Sequence, residues 1–228
     1  MTNEVAPGAV VEVNQPRPVR RSVIFESVAC LLAAAALGIL GDEGLRWGSF
    51  GVCLFTAATL WLALSFGAGR LGGRWWLSAV LGSGALVASL ASYYLWLGVV
   101  HDVPWSTLMD GGYRGRTFLA AGAAIGAISG ILGGVSGGSS RLAADMAWCG
   151  LVAVPVVDGL LQYRYSGRDD ELVVVAVFVA LVAVAVAWAL RSGARAWALL
   201  LGVPVASAVL YAGELVVLRE VFGRFTWL

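Results

Sequence analysis

Four carboxyl side chains lie within long apolar runs or at their ends. Asp158 lies in GLVAVPVVDGLL, Glu214 lies in VPVASAVLYAGELVV, and Asp42 and Glu43 follow one another in GILGDEGLRWG. Ionisable residues inside a bilayer are costly and usually face the bundle interior, where they serve function. Burial disfavours the charged form of a carboxyl group, so a carboxyl in an apolar site can stay protonated and donate a proton. These four residues are therefore the candidate catalytic acids.

Structural roles are the alternative for the same acids. Asp158 and Glu214 could pair with an arginine or with a neighbouring helix, and Asp42 or Glu43 could be a solvated helix end. The sequence alone does not choose between these roles and catalysis.

Aromatic residues accompany the acids. Ser207, Tyr211 and Glu214 follow the i, i+4, i+7 spacing of one helix face, and Ser89, Tyr93 and Trp96 follow it on another. Electron-rich rings stabilise cations that lack water, so these rings are candidates for substrate binding. Membrane-interface anchoring is the alternative for any one ring. The candidate substrate-binding residues are Tyr93, Tyr94, Trp96, Tyr211 and Trp47.

A protonated carboxyl, aromatic rings and a dry bundle together suit one reaction. Protonation of an alkene makes a carbocation, the rings shield it, and a second carboxyl or water removes the last proton. This is what a protonation-initiated terpene cyclase requires, and no metal or other cofactor is expected because no diphosphate has to leave. Buried carboxyls beside Pro155 and Pro204 would equally suit a proton-coupled transporter.

Composition defines the class of protein. The chain has 228 residues, of which 60% are hydrophobic and only 13% charged, and its mean hydropathy is +0.85. Soluble domains carry roughly 25% charged residues, so a soluble enzyme, a nucleic-acid-binding protein and a disordered chain are excluded. Three cysteines inside apolar runs do not indicate a disulfide framework, and a single histidine excludes a multi-histidine metal site.

Seven apolar runs are long enough to cross a bilayer, which takes about 20 residues each. The sequence therefore predicts an all-α, polytopic protein of the cell membrane, with a disordered tail over 1–21 and a seven-helix transmembrane bundle over 22–228. Lipid is the expected surrounding partner, and the oligomeric state stays open. The runs are 23–41, 50–67, 76–100, 118–135, 142–161, 172–190 and 197–217.

The alternating direction of the helices predicts which ends meet. With the N-terminus in the cytoplasm, all four candidate acids converge on one leaflet, with Asp158 and Glu214 roughly 5 Å from their helix ends. The fourth run carries Gly122, Gly126, Gly130 and Gly134, a spacing that predicts close helix packing. The sixth run is almost entirely apolar, and we expect it to face lipid.

Three strings also carry a resemblance: GDEGLRWGSFG, ASYYLWLG and GGVSGGSSRLAADMAWCGLVAVPVVDGLLQ. From about residue 35 to the seventh run, the chain resembles a family of small actinobacterial integral membrane proteins. Its size, helix count and paired acids are also similar to small membrane-bound terpene cyclases, both the fungal meroterpenoid and indole-diterpene enzymes and the streptomycete, drimentine-type enzymes that cyclise a farnesyl group on an indole alkaloid.

The resemblance to the cyclases implies one glutamate and one aspartate on different helices. In this chain these are Glu43 or Glu214 with Asp158 or Asp42. The implied substrate is a prenylated small molecule. A terpene cyclase is thus the first hypothesis, a small transporter or channel the second, and a non-catalytic membrane scaffold the third.

Overall fold

A computed structural model describes residues 21–56, 58–111, 114–138, 140–165 and 170–220, and these residues form helices and short links without a strand. A 3-10 turn, Leu45–Trp47, separates the first two helices. The helices are α1 (Arg21–Gly44), α2 (Gly48–Thr56), α3 (Ala58–Arg70), α4 (Trp75–Val100), α5 (Trp105–Met109), α6 (Gly115–Ser136), α7 (Arg141–Tyr165), α8 (Glu171–Arg191) and α9 (Ala196–Glu220). The expected tail, 1–21, lies outside these residues except for Arg21, where α1 begins.

Six stretches of helix in the described part of the chain are long and apolar enough to cross a membrane. The protein is therefore all-helical and multi-pass, but the expected count of seven spans is not confirmed. The difference lies in the second expected run, 50–67, which is divided between α2 and α3. Helix α3 has 13 residues, or about 20 Å at 1.5 Å per residue, which is shorter than the hydrocarbon core.

The glycines of α6 bring three helices into close contact, as their spacing predicts. A Cβ atom on Gly130 would lie 2.2 Å from the carbonyl oxygen of Ser78 on α4, and one on Gly133 would lie 2.0 Å from that of Phe66 on α3. The hydroxyl of Ser65 lies at this junction and donates to the carbonyl oxygens of Gly82 and Gly126, at 2.8 and 3.0 Å. Only residues without a side chain allow the backbones to approach this closely.

Helix α7 is the most buried of the six spans. It packs against α3, α6, α8 and α9. Its Trp148 is completely buried and contacts the rings of Phe66 and Trp188, with ring centroids 5.0 and 5.2 Å away. Helix α8 packs against α7 and α2 and leaves Leu172, Val179 and Val184 exposed. Its outer side is thus apolar, as expected of a helix at the edge of the bundle.

The links divide between the two ends of the bundle. At one end, which we call the acidic face, Asp42 contacts His101 and Ser49 contacts Asp170. The short helix α5 closes over this end, where its Leu108 is buried against Tyr94 and Leu97. The opposite end, which we call the basic face, holds Arg70, Arg141 and Arg195 around one cavity.

Candidate functional site

Asp158 is buried in α7 and bonded to the first turn of α3. Its Oδ2 atom accepts the backbone N–H of Thr59 at 2.8 Å and the hydroxyl of Thr59 at 2.6 Å. The first N–H groups of a helix have no partner inside that helix. Asp158, which lies on α7, accepts one of these N–H groups of α3. Its carboxylate therefore caps the start of α3 inside the bundle.

The depth of Asp158 differs from the expected value. Helix α7 continues to Tyr165 rather than ending at 161, so Asp158 lies seven residues from the helix end instead of three. At 1.5 Å per residue this is roughly 10 Å rather than 5 Å. The extra turn follows from QYRY, a polar segment that still forms helix. Asp158 is therefore further from the acidic face than Asp42, which lies near the end of α1.

Asp42 forms the other prominent carboxyl contact. It is buried, and its Oδ2 atom lies 2.7 Å from Nε2 of His101. His101 follows α4 directly and is part-exposed, so it reaches Asp42 from the water side. It is the only histidine in the chain, and no role is expected for it from its position in the sequence. The pair joins the ends of α1 and α4.

Two aromatic rings lie near the end of α1. A Cβ atom on Gly41, the residue before Asp42, would lie 3.4 Å from Cζ2 of Trp61 and 3.8 Å from Cδ2 of Tyr93. Trp61 donates its indole N–H to the carbonyl oxygen of Phe55 at 3.1 Å. Tyr93 was a predicted substrate-binding residue, whereas Trp61 was missed because it lies in the middle of the apolar run 50–67, far in sequence from any of the candidate acids. Both rings thus flank the end of α1.

The remaining predicted rings have separate surroundings. Trp47 packs edge-on against Phe55, with centroids 5.6 Å apart, and Tyr94 packs against Tyr93 at 5.4 Å. Trp96 is partly buried, and its indole nitrogen has no hydrogen-bond partner among the described residues. Tyr211, on α9, accepts a hydrogen bond from Arg164 of α7 at 3.3 Å. Helix α9 packs against α7, so this contact is separate from the one between Asp42 and His101.

The other two predicted acids differ from Asp42 and Asp158. Glu43 is part-exposed and pairs with Arg46 at 3.3 Å on the same turn of chain. The side chain of Glu214 lies outside the described residues, so its predicted role stays a prediction.

Helix α3 separates Asp42 from Asp158. It packs against both α1 and α7, contacting Asp158 through Thr59 and the end of α1 through Trp61. Two successive steps along an α-helix rotate the side-chain direction by about 200° around the helix axis. The side chains of Thr59 and Trp61 therefore leave α3 in nearly opposite directions. Asp42 and Asp158 thus border α3 on different sides.

Within the described ranges, no group of three or more His, Cys, Asp or Glu side chains is placed to hold a metal ion. What the site offers is a buried carboxylate, an imidazole in hydrogen-bond contact with it, and two rings, from α3 and α4, near the residue that precedes the aspartate. In comparisons with known protein families, curated proteins and solved structures, nothing matches this chain.

Proposed function

We propose that the chain is a membrane-bound terpene cyclase in which Asp42, assisted by His101, donates the proton that starts the cyclisation of a prenyl chain. The observation that carries the proposal is the 2.7 Å contact between Asp42 Oδ2 and His101 Nε2. The rings of Trp61 and Tyr93 lie next to Gly41, the residue that precedes Asp42 in the chain. A proton donor within reach of a hydrocarbon and rings that shield a cation are the two requirements of this reaction.

The proposed step conserves atoms and charge. The carboxylic acid form of Asp42 transfers its proton to the terminal alkene, whose π electrons form the new C–H bond and leave a tertiary cation. Internal alkenes attack that cation in turn and close the rings. The carboxylate of Asp42 is stabilised by the imidazole N–H of His101, and a carboxylate or water then takes the last proton. The product is an isomer of the substrate, without redox change.

The other carboxyls have different roles in this proposal. Asp158 holds the start of α3, which carries Trp61, so it positions an aromatic ring rather than donating a proton. Glu43 is a neighbour of Asp42 with an ion pair of its own, which makes it the matched control for charge removal at the acidic face.

The test is turnover of a farnesylated aromatic compound by the full chain in detergent or nanodiscs. We expect Asp42→Asn to lose at least about 100-fold in product formation, because proton transfer by a positioned side chain contributes about 10²–10⁴-fold. Glu43→Gln should keep activity within about threefold under the same conditions. Equal activity in Asp42→Asn and wild type would refute the assignment.

A proton-coupled transporter is the second candidate, and a different observation favours it. The start of α3 lies inside the apolar bundle and faces a buried carboxylate. Discontinuous helices whose ends face a buried charge form the ion and substrate sites of many transporters. Proton-coupled uptake into liposomes that Asp158→Asn abolishes, together with no turnover of prenyl substrates, would favour this function over the cyclase.

A further inference from the structure

The basic face contains a cavity that the proposed cyclase reaction does not use. Its volume is about 610 Å³, within the range of small-molecule sites. It lies between the ends of α3 and α6, the first turns of α7 and the link that joins α8 to α9. The lining side chains that matter are Arg70, Arg141, Arg195, Asp145, Trp148 and Ser192.

The cavity is positively charged. Three arginines and one aspartate line it, which leaves a formal charge of +2. Asp145 is buried and bonded to the side chain of Arg195 at 2.5 and 2.6 Å. It therefore neutralises Arg195 and leaves Arg70 and Arg141 as the excess charge. Arg141 is exposed and has no ion pair within the described ranges.

Arg70 is held in place for binding. Its Nη1 atom donates to the hydroxyl of Ser192 at 3.0 Å, and its guanidinium carbon lies 5.0 Å from the ring centroid of Trp148. A guanidinium has five N–H donors, so this contact with Ser192 leaves others for a ligand. Fixing the side chain in advance lowers the entropic cost of binding.

Trp148 supports the wall of the cavity from behind Arg70. Its side chain is completely buried, and the guanidinium of Arg70 lies over its ring. A cation held over an aromatic face is stabilised by the ring, so Trp148 helps to fix the position of Arg70.

We infer that this cavity binds a phosphate-bearing anion through Arg70 and Arg141. Guanidinium groups match phosphate oxygens with paired hydrogen bonds. The start of α7, at Arg141, adds the partial positive charge of a helix N-terminus. The phosphate can belong to the headgroup of an anionic lipid, which reaches the cavity from the bilayer surface, or to a soluble phosphate or phosphate ester. This site is independent of the cyclase proposal.

The test uses the full chain in phosphatidylcholine nanodiscs. In the soluble arm, thermal stability is measured against inorganic phosphate, with chloride at equal ionic strength as reference. In the lipid arm, phosphatidylglycerol is added to the nanodiscs, and native mass spectrometry counts the molecules retained. A response in the first arm identifies a soluble phosphate, and a response in the second identifies a lipid headgroup.

The variants decide whether the response comes from this cavity. We expect Arg70→Gln and Arg141→Gln each to weaken binding about tenfold, the loss of one charged hydrogen bond. Trp148→Phe keeps an aromatic ring beneath Arg70 and removes only an N–H that the cavity does not reach, so it should leave binding within about twofold. Arg74→Gln changes the same charge on the same face but outside the cavity lining, so it should leave binding unchanged. No response in either arm, or equal losses in Arg74→Gln and Arg141→Gln, would overturn the inference.

Discussion

Thr59 donates two hydrogen bonds, from its backbone N–H and its hydroxyl, to a single oxygen of Asp158. These residues are 99 positions apart, and their contact explains how a helix can begin inside an apolar bundle. A second aspartate of α7 acts in the same way at the basic face: Asp145 Oδ1 accepts the backbone N–H of Arg195 at 3.0 Å, directly before α9. Helix α7 therefore uses both of its aspartates to support the starts of other helices.

Asp158 should be important for stability through hydrogen bonding rather than charge. Asp158→Asn keeps an acceptor oxygen for Thr59, so we expect its melting temperature in detergent to stay close to that of wild type. Asp158→Leu leaves two buried donors without a partner and should lower the free energy of unfolding by about 1–3 kcal/mol or more. Equal melting temperatures for the Asn and Leu variants would contradict the capping role.

The ion pair of Asp145 with Arg195 should be energetically coupled. Arg195→Gln leaves a buried carboxylate with its backbone partner only, and we expect a loss of about 1–3 kcal/mol in stability. Asp145→Asn in the same background should recover part of that loss, because the unpaired charge is then removed. A double-mutant cycle measures the coupling. Strictly additive effects of the two changes would show that the pair contributes nothing.

The glycine contacts of α6 should tolerate no side chain. Gly130→Ala places a Cβ atom 2.2 Å from a backbone oxygen of α4, and overpacking of this kind costs about 1–3 kcal/mol. Gly84→Ala on α4 is the matched control, since its Cβ atom would meet only a flexible leucine at 3.6 Å. It should be neutral or slightly stabilising, because alanine favours helix over glycine. Equal melting temperatures for Gly130→Ala and Gly84→Ala would show that Gly130 is not needed for close packing.

The sequence predicts those parts of the fold that are determined locally. Apolar runs predict the helices, and the four-residue spacing of glycine predicts the packing of α6 against its neighbours. The break between α2 and α3 could not be predicted, because the run 50–67 contains no proline or charge. The group that stabilises the start of α3 is on α7, and a hydropathy pattern carries no information about a partner so distant.

In the candidate site, too, local features could be predicted from the sequence and distant partners could not. The acids and most of the rings could be selected from their positions in apolar runs. Their partners could not: His101 is 59 residues from Asp42, and Trp61 comes near Asp42 only because α3 packs against α1. The sequence also offers no reason to assign different roles to Asp42 and Asp158. In the structure these two residues differ in their depth in the bundle and in their hydrogen-bond partners.

His101 should affect catalysis without being required for folding. His101→Gln keeps a polar side chain at the part-exposed end of α4 but removes the imidazole beside Asp42. We expect turnover to fall at least about tenfold, with the melting temperature little changed, because the imidazole stabilises the carboxylate left after proton transfer. The readouts are the product yield and the melting curve of the same sample. Unchanged turnover in this variant would remove His101 from the mechanism.

The proton transfer itself is tested most directly by running the reaction in deuterated water. Asp42 exchanges its acidic proton with solvent, so each cyclisation should add one deuterium at the CH carbon of the terminal alkene, the carbon next to the tertiary cation. We predict a cyclised product that is heavier by one mass unit in D₂O, formed by wild type and by Glu43→Gln but not by Asp42→Asn. A cyclised product without deuterium, or the same deuterated product from Asp42→Asn, would contradict protonation by Asp42.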